Sequence, residues 1–139
     1  MPKRISTSEY VIGGKALAEW DQEWKSVPGG FAQPHDDLKG KAGLYRALED
    51  GKTVVIGKSS EKTGNRLYKR LADFRRSSNS ARDHHIGKYI FENRHSLKLQ
   101  VLITGDDQMA CQLAAALRGP MIKLHEPREN VRKRGVDQA

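Results

Sequence analysis

A chain of 139 residues with a formal net charge of +8, from 25 Lys and Arg against 17 Asp and Glu, is sized for one domain with its own core. Its single cysteine excludes an internal disulfide, and the absence of any long apolar run speaks against a membrane span. The basic excess points to a polyanionic partner, nucleic acid first and an acidic protein next; a merely solvated basic surface is the bland alternative.

No apolar segment follows the N-terminal Met-Pro-Lys-Arg, so a cytoplasmic protein is expected. Residues 1–40 read as an accessory helix and loop, with helical spacing over 14–24 that places Leu17, Trp20 and Trp24 on one stripe. The two tryptophans could stack on bases, but an aromatic pair at this spacing more often pins a helix to the core. Residues 42–48 and 53–56 read as strands joined across Asp50-Gly51, because glycine supplies the positive φ that a tight hairpin needs. A helix is expected over 65–74. Leu67, Leu71 and Phe74 form its apolar stripe, with Arg66 and Arg70 sharing a neighbouring face.

Ser80 then caps a helix to about residue 93, with Ile86, Tyr89 and Ile90 on its inner side. Residues 97–103 alternate as a third strand. Asp106 or Asp107 caps a helix to about residue 117, and Pro120 opens a separate short helix over 121–125. Cys111, without the paired spacing of a zinc site, is expected as a buried thiol. Residues 131–139 form a basic, frayed tail. The expected architecture is a mixed α/β domain with a small three-stranded sheet, antiparallel or mixed, flanked by helices.

A phenol, a lysine and arginines at the exit of a hairpin are suited to holding a phosphodiester. Gly43-Leu44-Tyr45, then Val55-Ile56-Gly57-Lys58, the arginine helix ending at Phe74, and Pro127-Arg128-Glu129-Asn130 together resemble the GIY-YIG nuclease family over roughly residues 41–130. The resemblance implies a divergent endonuclease that hydrolyses DNA phosphodiesters with Mg or Mn, with Tyr45, Arg70, Asn130 and Lys58 as catalytic residues. Arg66 is the alternative arginine if the loop is counted shorter. Arg66, Arg70, Arg75, Arg76 and Arg118 would bind nucleic acid, DNA ahead of RNA, and His84 or His85 could move a proton.

The sequence departs from the family in two places. Val55 replaces the second tyrosine, and Arg118 falls where the metal-binding glutamate belongs. Shifted registers offer only Ala114 or Gln112. Magnesium prefers anionic oxygen, and a guanidinium repels it. Glu92, Asp106, Asp107 and Glu126 are the remaining candidate acids, though each is more simply a cap or a surface charge. A catalytically inactive relative that binds DNA, RNA or a protein, as an inhibitor or adaptor, is therefore the alternative to a nuclease.

Overall fold

The structure is a computed structural model in which residues 11–60, 64–75 and 85–131 are described. Two-residue strands β1 (Val11–Ile12) and β2 (Lys15–Ala16) form a small hairpin that leads into the single turn α1 (Leu17–Trp20). Strand β3 (Lys25–Ser26) follows, and short 3-10 turns at Gly30–Ala32 and Asp36–Leu38 lead to the main hairpin, β4 (Ala42–Glu49) and β5 (Lys52–Lys58). Helices α2 (Leu67–Arg75) and α3 (His85–Glu92), strand β6 (Lys98–Gly105), and helices α4 (Gln108–His125) and α5 (Arg128–Val131) complete the described chain.

The sheet is antiparallel throughout, in the order β3-β6-β4-β5. It has four strands where three were expected, because Lys25 and Ser26 pair with Val101 and Gln100 at the outer edge of β6. Two polar residues ending at Pro28 carry no strand signal in the sequence; their pairing is imposed by the neighbouring edge. The main hairpin closes as expected. Asp50 and Gly51 take φ of 53° and 80°, a mirror-image turn that matches the twist of the flanking strands, and Glu49 pairs with Lys52. A bulge after Ala47 lets the consecutive Val54 and Val55 both face one core cluster.

Helices cover both faces of the sheet. On one side Tyr45, Ala47, Val55, Leu99 and Val101 pack against Leu67, Leu71 and Phe74 of α2, Ile90 of α3, and Phe31. On the other, Leu44, Ile56 and Leu102 meet Ala114, Leu117 and Met121 of α4 together with Leu17 and Trp20. The expected stripes of α2 and β6 are therefore the buried ones. Asp107 rather than Asp106 caps α4, accepting a hydrogen bond from the Ala110 N–H at 2.8 Å. Cys111 is buried in a small cluster with Ala42 and Ala110.

Three expectations are corrected. Residues 14–24 do not form one helix: only Leu17–Trp20 is helical, since Gly13 and Gly14 turn the preceding hairpin with φ of 60° and 81°. Pro120 does not start a new helix; α4 runs through it to His125. An interior proline costs about 3 kcal/mol. Burial of Leu117 and Met121 on either side of it returns roughly 1.5–3 kcal/mol each, which keeps the helix whole. Helix α2 begins at Leu67, because Arg66 stands before it in the left-handed region with φ of 48°. The expected Ser80 cap and the tail beyond residue 131 lie outside the described residues. None of the described helices is long and apolar enough to cross a membrane.

Residues 11–40 are held to the body by their aromatic side chains. The Trp20 indole is buried and donates to the Ile12 carbonyl at 2.8 Å, while the Trp24 indole donates to Asp21 Oδ1 at 2.9 Å and stacks beneath Arg46 at 4.5 Å. The Asp21 carboxylate also meets His125 Nε2 at 2.7 Å, tying the segment to the end of α4. The pinning reading of the tryptophans is thus the structural one.

Two consequences are measurable. A Cβ on Gly43 would sit 2.1 Å from the Leu102 carbonyl oxygen of the paired strand, and backbone cannot give way. Gly43→Ala should lower unfolding free energy in urea by about 3 kcal/mol, the upper end of overpacking penalties. Burial raises the Asp21 pKa, but the hydrogen bonds from His125 and Trp24, with the His125 and Arg46 charges, outweigh it and hold the carboxyl below its ordinary 3.8. Its stabilising contribution is complete above that ordinary value and fades as pH falls through the depressed one. Asp21→Asn should melt below the wild type near neutral pH, and the gap should narrow as pH falls below that ordinary value.

Candidate nucleic-acid interface

Tyr45 lies on β4 opposite Gly57 of the edge strand β5, and its ring crosses that glycine. A Cβ at Gly57 would fall 2.2 Å from the phenolic oxygen, so the missing side chain is the passage through which the phenol reaches the sheet edge. The ring is fixed from the other side. Phe74 packs edge-on with centroids 5.4 Å apart, and Phe31 packs likewise at 6.5 Å. Phe74 follows Arg70 by one helical turn, so the ring that packs on Tyr45 and Arg70 share one face of α2.

The electrostatics agree. Burial pushes the Tyr45 pKa up to about 12, against the downward pull of the Arg70 and Arg118 charges. At neutral pH the phenol is therefore neutral, and two guanidinium charges act on it. Arg70 comes from α2 on one face of the sheet, whereas Arg118 is exposed on α4, whose neighbours Leu117 and Met121 pack on the other. Both charges are felt by the Tyr45 phenol from opposite faces of the sheet. Arg70 Nε is buried and has no hydrogen-bond partner. An unmet buried donor of this kind costs about 1–3 kcal/mol.

The other sequence candidates are distributed elsewhere. Asn130 clamps the same edge strand: its Oδ1 accepts from the Ile56 N–H at 2.8 Å and its Nδ2 donates to the Ile56 carbonyl at 3.0 Å. The side-chain amide thus substitutes for a missing strand neighbour, a structural use of the residue. Arg66 does not share a face with Arg70. Its Nη1 donates to the carbonyls of Gly40 and Asp106, each at 3.1 Å, and its Nε to Cys111 Sγ at 3.0 Å, which ties the loop before β4 to the start of α4. Lys58 is half-buried at the end of β5, and Arg75 half-buried at the end of α2. Arg76 and His84 lie outside the described residues.

His85 Nε2 stands 3.1 Å from both the carboxylate and the backbone oxygen of Glu129. It joins α3 to α5, and no contact connects it to Tyr45. Sequence reading passed over Glu129, which is 2% exposed and also accepts from Arg128 Nε at 3.0 Å. Arg128 in turn donates to Glu49 at 2.6 Å and to the Tyr89 hydroxyl at 2.9 Å, so this cluster fixes the turn that delivers Asn130 to β5. A charged residue in a four-residue helix gives no sign of burial in the sequence.

The fold is similar to a GIY-YIG domain. The GIY-YIG N-terminal endonuclease domain of UvrC from Thermotoga maritima, bound to its catalytic magnesium, is 21% identical, with 68% of this chain and 88% of that chain covered and a TM-score of 0.47. A Tyr-to-Phe point mutant of the same domain, bound to its catalytic divalent cation, is 23% identical over the same shares, again at 0.47. No family model and no curated protein matches the chain.

Among the described residues there is no group of three or more His, Cys, Asp or Glu able to hold a metal. The charged groups acting on Tyr45 are guanidinium groups. The candidate acids are accounted for: Asp107 is a cap, Glu126 ends α4 in the left-handed region with φ of 48°, and Glu92 and Asp106 are exposed.

The passage through Gly57 is open to a double-mutant cycle. Gly57→Ala should cost about 2–3 kcal/mol of stability by driving the phenol out of place. Removing that ring as well should expose the coupling: Tyr45→Ala should cost less in the Gly57→Ala background than in the wild type, measured by urea unfolding.

Proposed function

We propose that this chain is a nucleic-acid-binding protein that grips a phosphate of its partner in the pocket formed by Tyr45, Arg70 and Arg118, on a GIY-YIG-like scaffold. The observation that supports the reading is Arg70 Nε, buried and unpartnered, on an arginine whose charge, with that of Arg118, acts on the protonated Tyr45 phenol. Such an arrangement offers mainly donors and positive charge, the phenolic oxygen being its one acceptor. It suits an anionic oxygen. The net charge of +8 supplies the long-range attraction for a polyanion, and DNA stands ahead of RNA as the partner. The setting is the cytoplasm, where the one cysteine stays a thiol.

Binding is favoured over cleavage because Arg118 supplies a positive charge where a metal-dependent nuclease needs a carboxylate. Metal-assisted hydrolysis would use Mg or Mn to stabilise the leaving oxygen. Here the guanidinium groups would hold the phosphate, with no acidic cluster for that ion among the described residues. Tyr45 donates to a non-bridging oxygen, Arg70 pairs with the anion from the inner side, and Arg118 closes the pocket from α4.

Gel shifts on DNA should show binding whose affinity falls steeply with salt, and Arg70→Ala should weaken it about tenfold or more. Supercoiled plasmid incubated with Mg or Mn should remain uncut. Nicking that disappears in Tyr45→Phe would overturn the binding reading in favour of a divergent endonuclease. Failure to shift DNA or RNA, with stoichiometric recovery of an acidic protein instead, would transfer the basic face to a protein partner.

A further inference from the structure

A groove of about 700 Å³ lies at the β6 margin of the sheet, away from the edge strand β5. Local chemistry opens it. Strand β3 leaves β6 at Val27, whose N–H donates to the Leu99 carbonyl at 3.0 Å. Pro28 has no N–H to continue the ladder, and Gly29 and Gly30, with φ of 93° and 56°, turn the chain out of the extended form. The next stretch of β6, Leu97 and Lys98, borders the groove instead of a further paired residue. Val27, Leu97 and Leu99 give it an apolar floor that is continuous with the core. The glycine wall is anchored, since His35 Nε2 donates to the Gly30 carbonyl at 2.7 Å. Leu48 and Gly51, at the tip of the main hairpin, bound another side.

The rim is basic. Arg94, His95 and Lys98, from the turn that enters β6, line the groove, and no Asp or Glu does. Arg94 is held in place: it is half-buried, its guanidinium lies 4.2 Å over the Phe91 ring, and Nη1 donates to the Phe91 carbonyl at 2.6 Å. One corner of a planar fork is used in this way, and its remaining N–H groups suit an anion. We propose that the groove binds a free nucleotide, its phosphate on Arg94 and Lys98 and its heterocycle on the apolar floor. The volume falls within the roughly 300–1,000 Å³ of small-ligand sites. A flat body with a compact anionic end matches an apolar floor joined to a rim without carboxylates. The Gln33 amide, the Ser96 hydroxyl and the main chain of Leu97 and Lys98 supply the donors and acceptors that orient a heterocycle. Walls from three separate segments suit a single nucleotide better than a continuous strand. None of Tyr45, Arg70 and Arg118 lines this groove, so it stands apart from the reading above.

The test is isothermal titration calorimetry of the full chain with AMP, CMP, GMP and UMP, with the corresponding nucleosides, and with inorganic phosphate. At least one nucleotide should bind about tenfold or more tightly than its nucleoside and than phosphate. Lys98→Gln, at an exposed position, should weaken that binding about threefold or more. Ser96→Trp, also at an exposed lining position, should abolish it by placing an indole in the groove. Both variants should melt with the wild type, and Lys98→Gln decides alone if Ser96→Trp does not fold. Lys123→Gln, an exposed position that does not line the groove, should bind as the wild type does. A nucleoside or inorganic phosphate binding as tightly as the nucleotide would overturn the proposal. So would nucleotide binding unchanged in the groove variants, or no nucleotide binding at all. A single-stranded oligonucleotide that binds more tightly than any nucleotide, and loses that advantage in Ser96→Trp, would assign the groove to a strand and overturn it likewise. The Tyr45 and Arg70 reading is decided separately, by the DNA gel shift of Arg70→Ala.

Discussion

The passage of the Tyr45 ring over Gly57 is the contact on which the candidate site depends. Edge strands leave one side of their backbone uncovered, and a side chain from the neighbouring strand can reach that margin only where the intervening residue has no Cβ. Gly57 provides the opening, and Phe31 and Phe74 confine the ring within it. A phenol placed in this way is rigid, largely desolvated and protonated. These properties make it a directional donor rather than a base, and they come from packing rather than from any special property of tyrosine.

Around that phenol the arginines divide into three kinds of work. Arg66 is consumed internally, bridging Gly40, Asp106 and Cys111 at the expense of a left-handed backbone of the order of 1–2 kcal/mol. Arg128 is a strut between Glu49, Tyr89 and the buried Glu129. Arg70 and Arg118 alone among these act on Tyr45. The large positive charge of the chain therefore overstates the charge available to a ligand at this point, because part of it is already matched by carbonyls and carboxylates.

The scaffold beneath is reinforced from both ends of the chain. Asn130 supplies the hydrogen bonds that a further strand would have given to Ile56, and β3 supplies those at the opposite margin of the sheet, against β6. Asp21, His125, Trp24 and Arg46 join the early segment to the end of α4. Both sheet margins are thus occupied without additional long strands, which also protects a small, charged domain from edge-to-edge association.

The sequence by itself determined what depends on local pattern. The hairpin turn followed from Asp50-Gly51, and the buried faces of α2, α3 and β6 from their apolar spacing. Tertiary structure alone decided what depends on contacts between distant residues. It recruited Lys25 and Ser26 into the sheet, carried α4 through Pro120, drew Arg66 away from Arg70, buried Glu129 and turned Asn130 into a clamp on Ile56. Periodicity reports the face a residue shows to its own helix or strand. A guanidinium or an amide is committed only when a partner with an unmet hydrogen bond arrives from elsewhere in the fold, and neither its own residue type nor its neighbours along the chain encode that meeting.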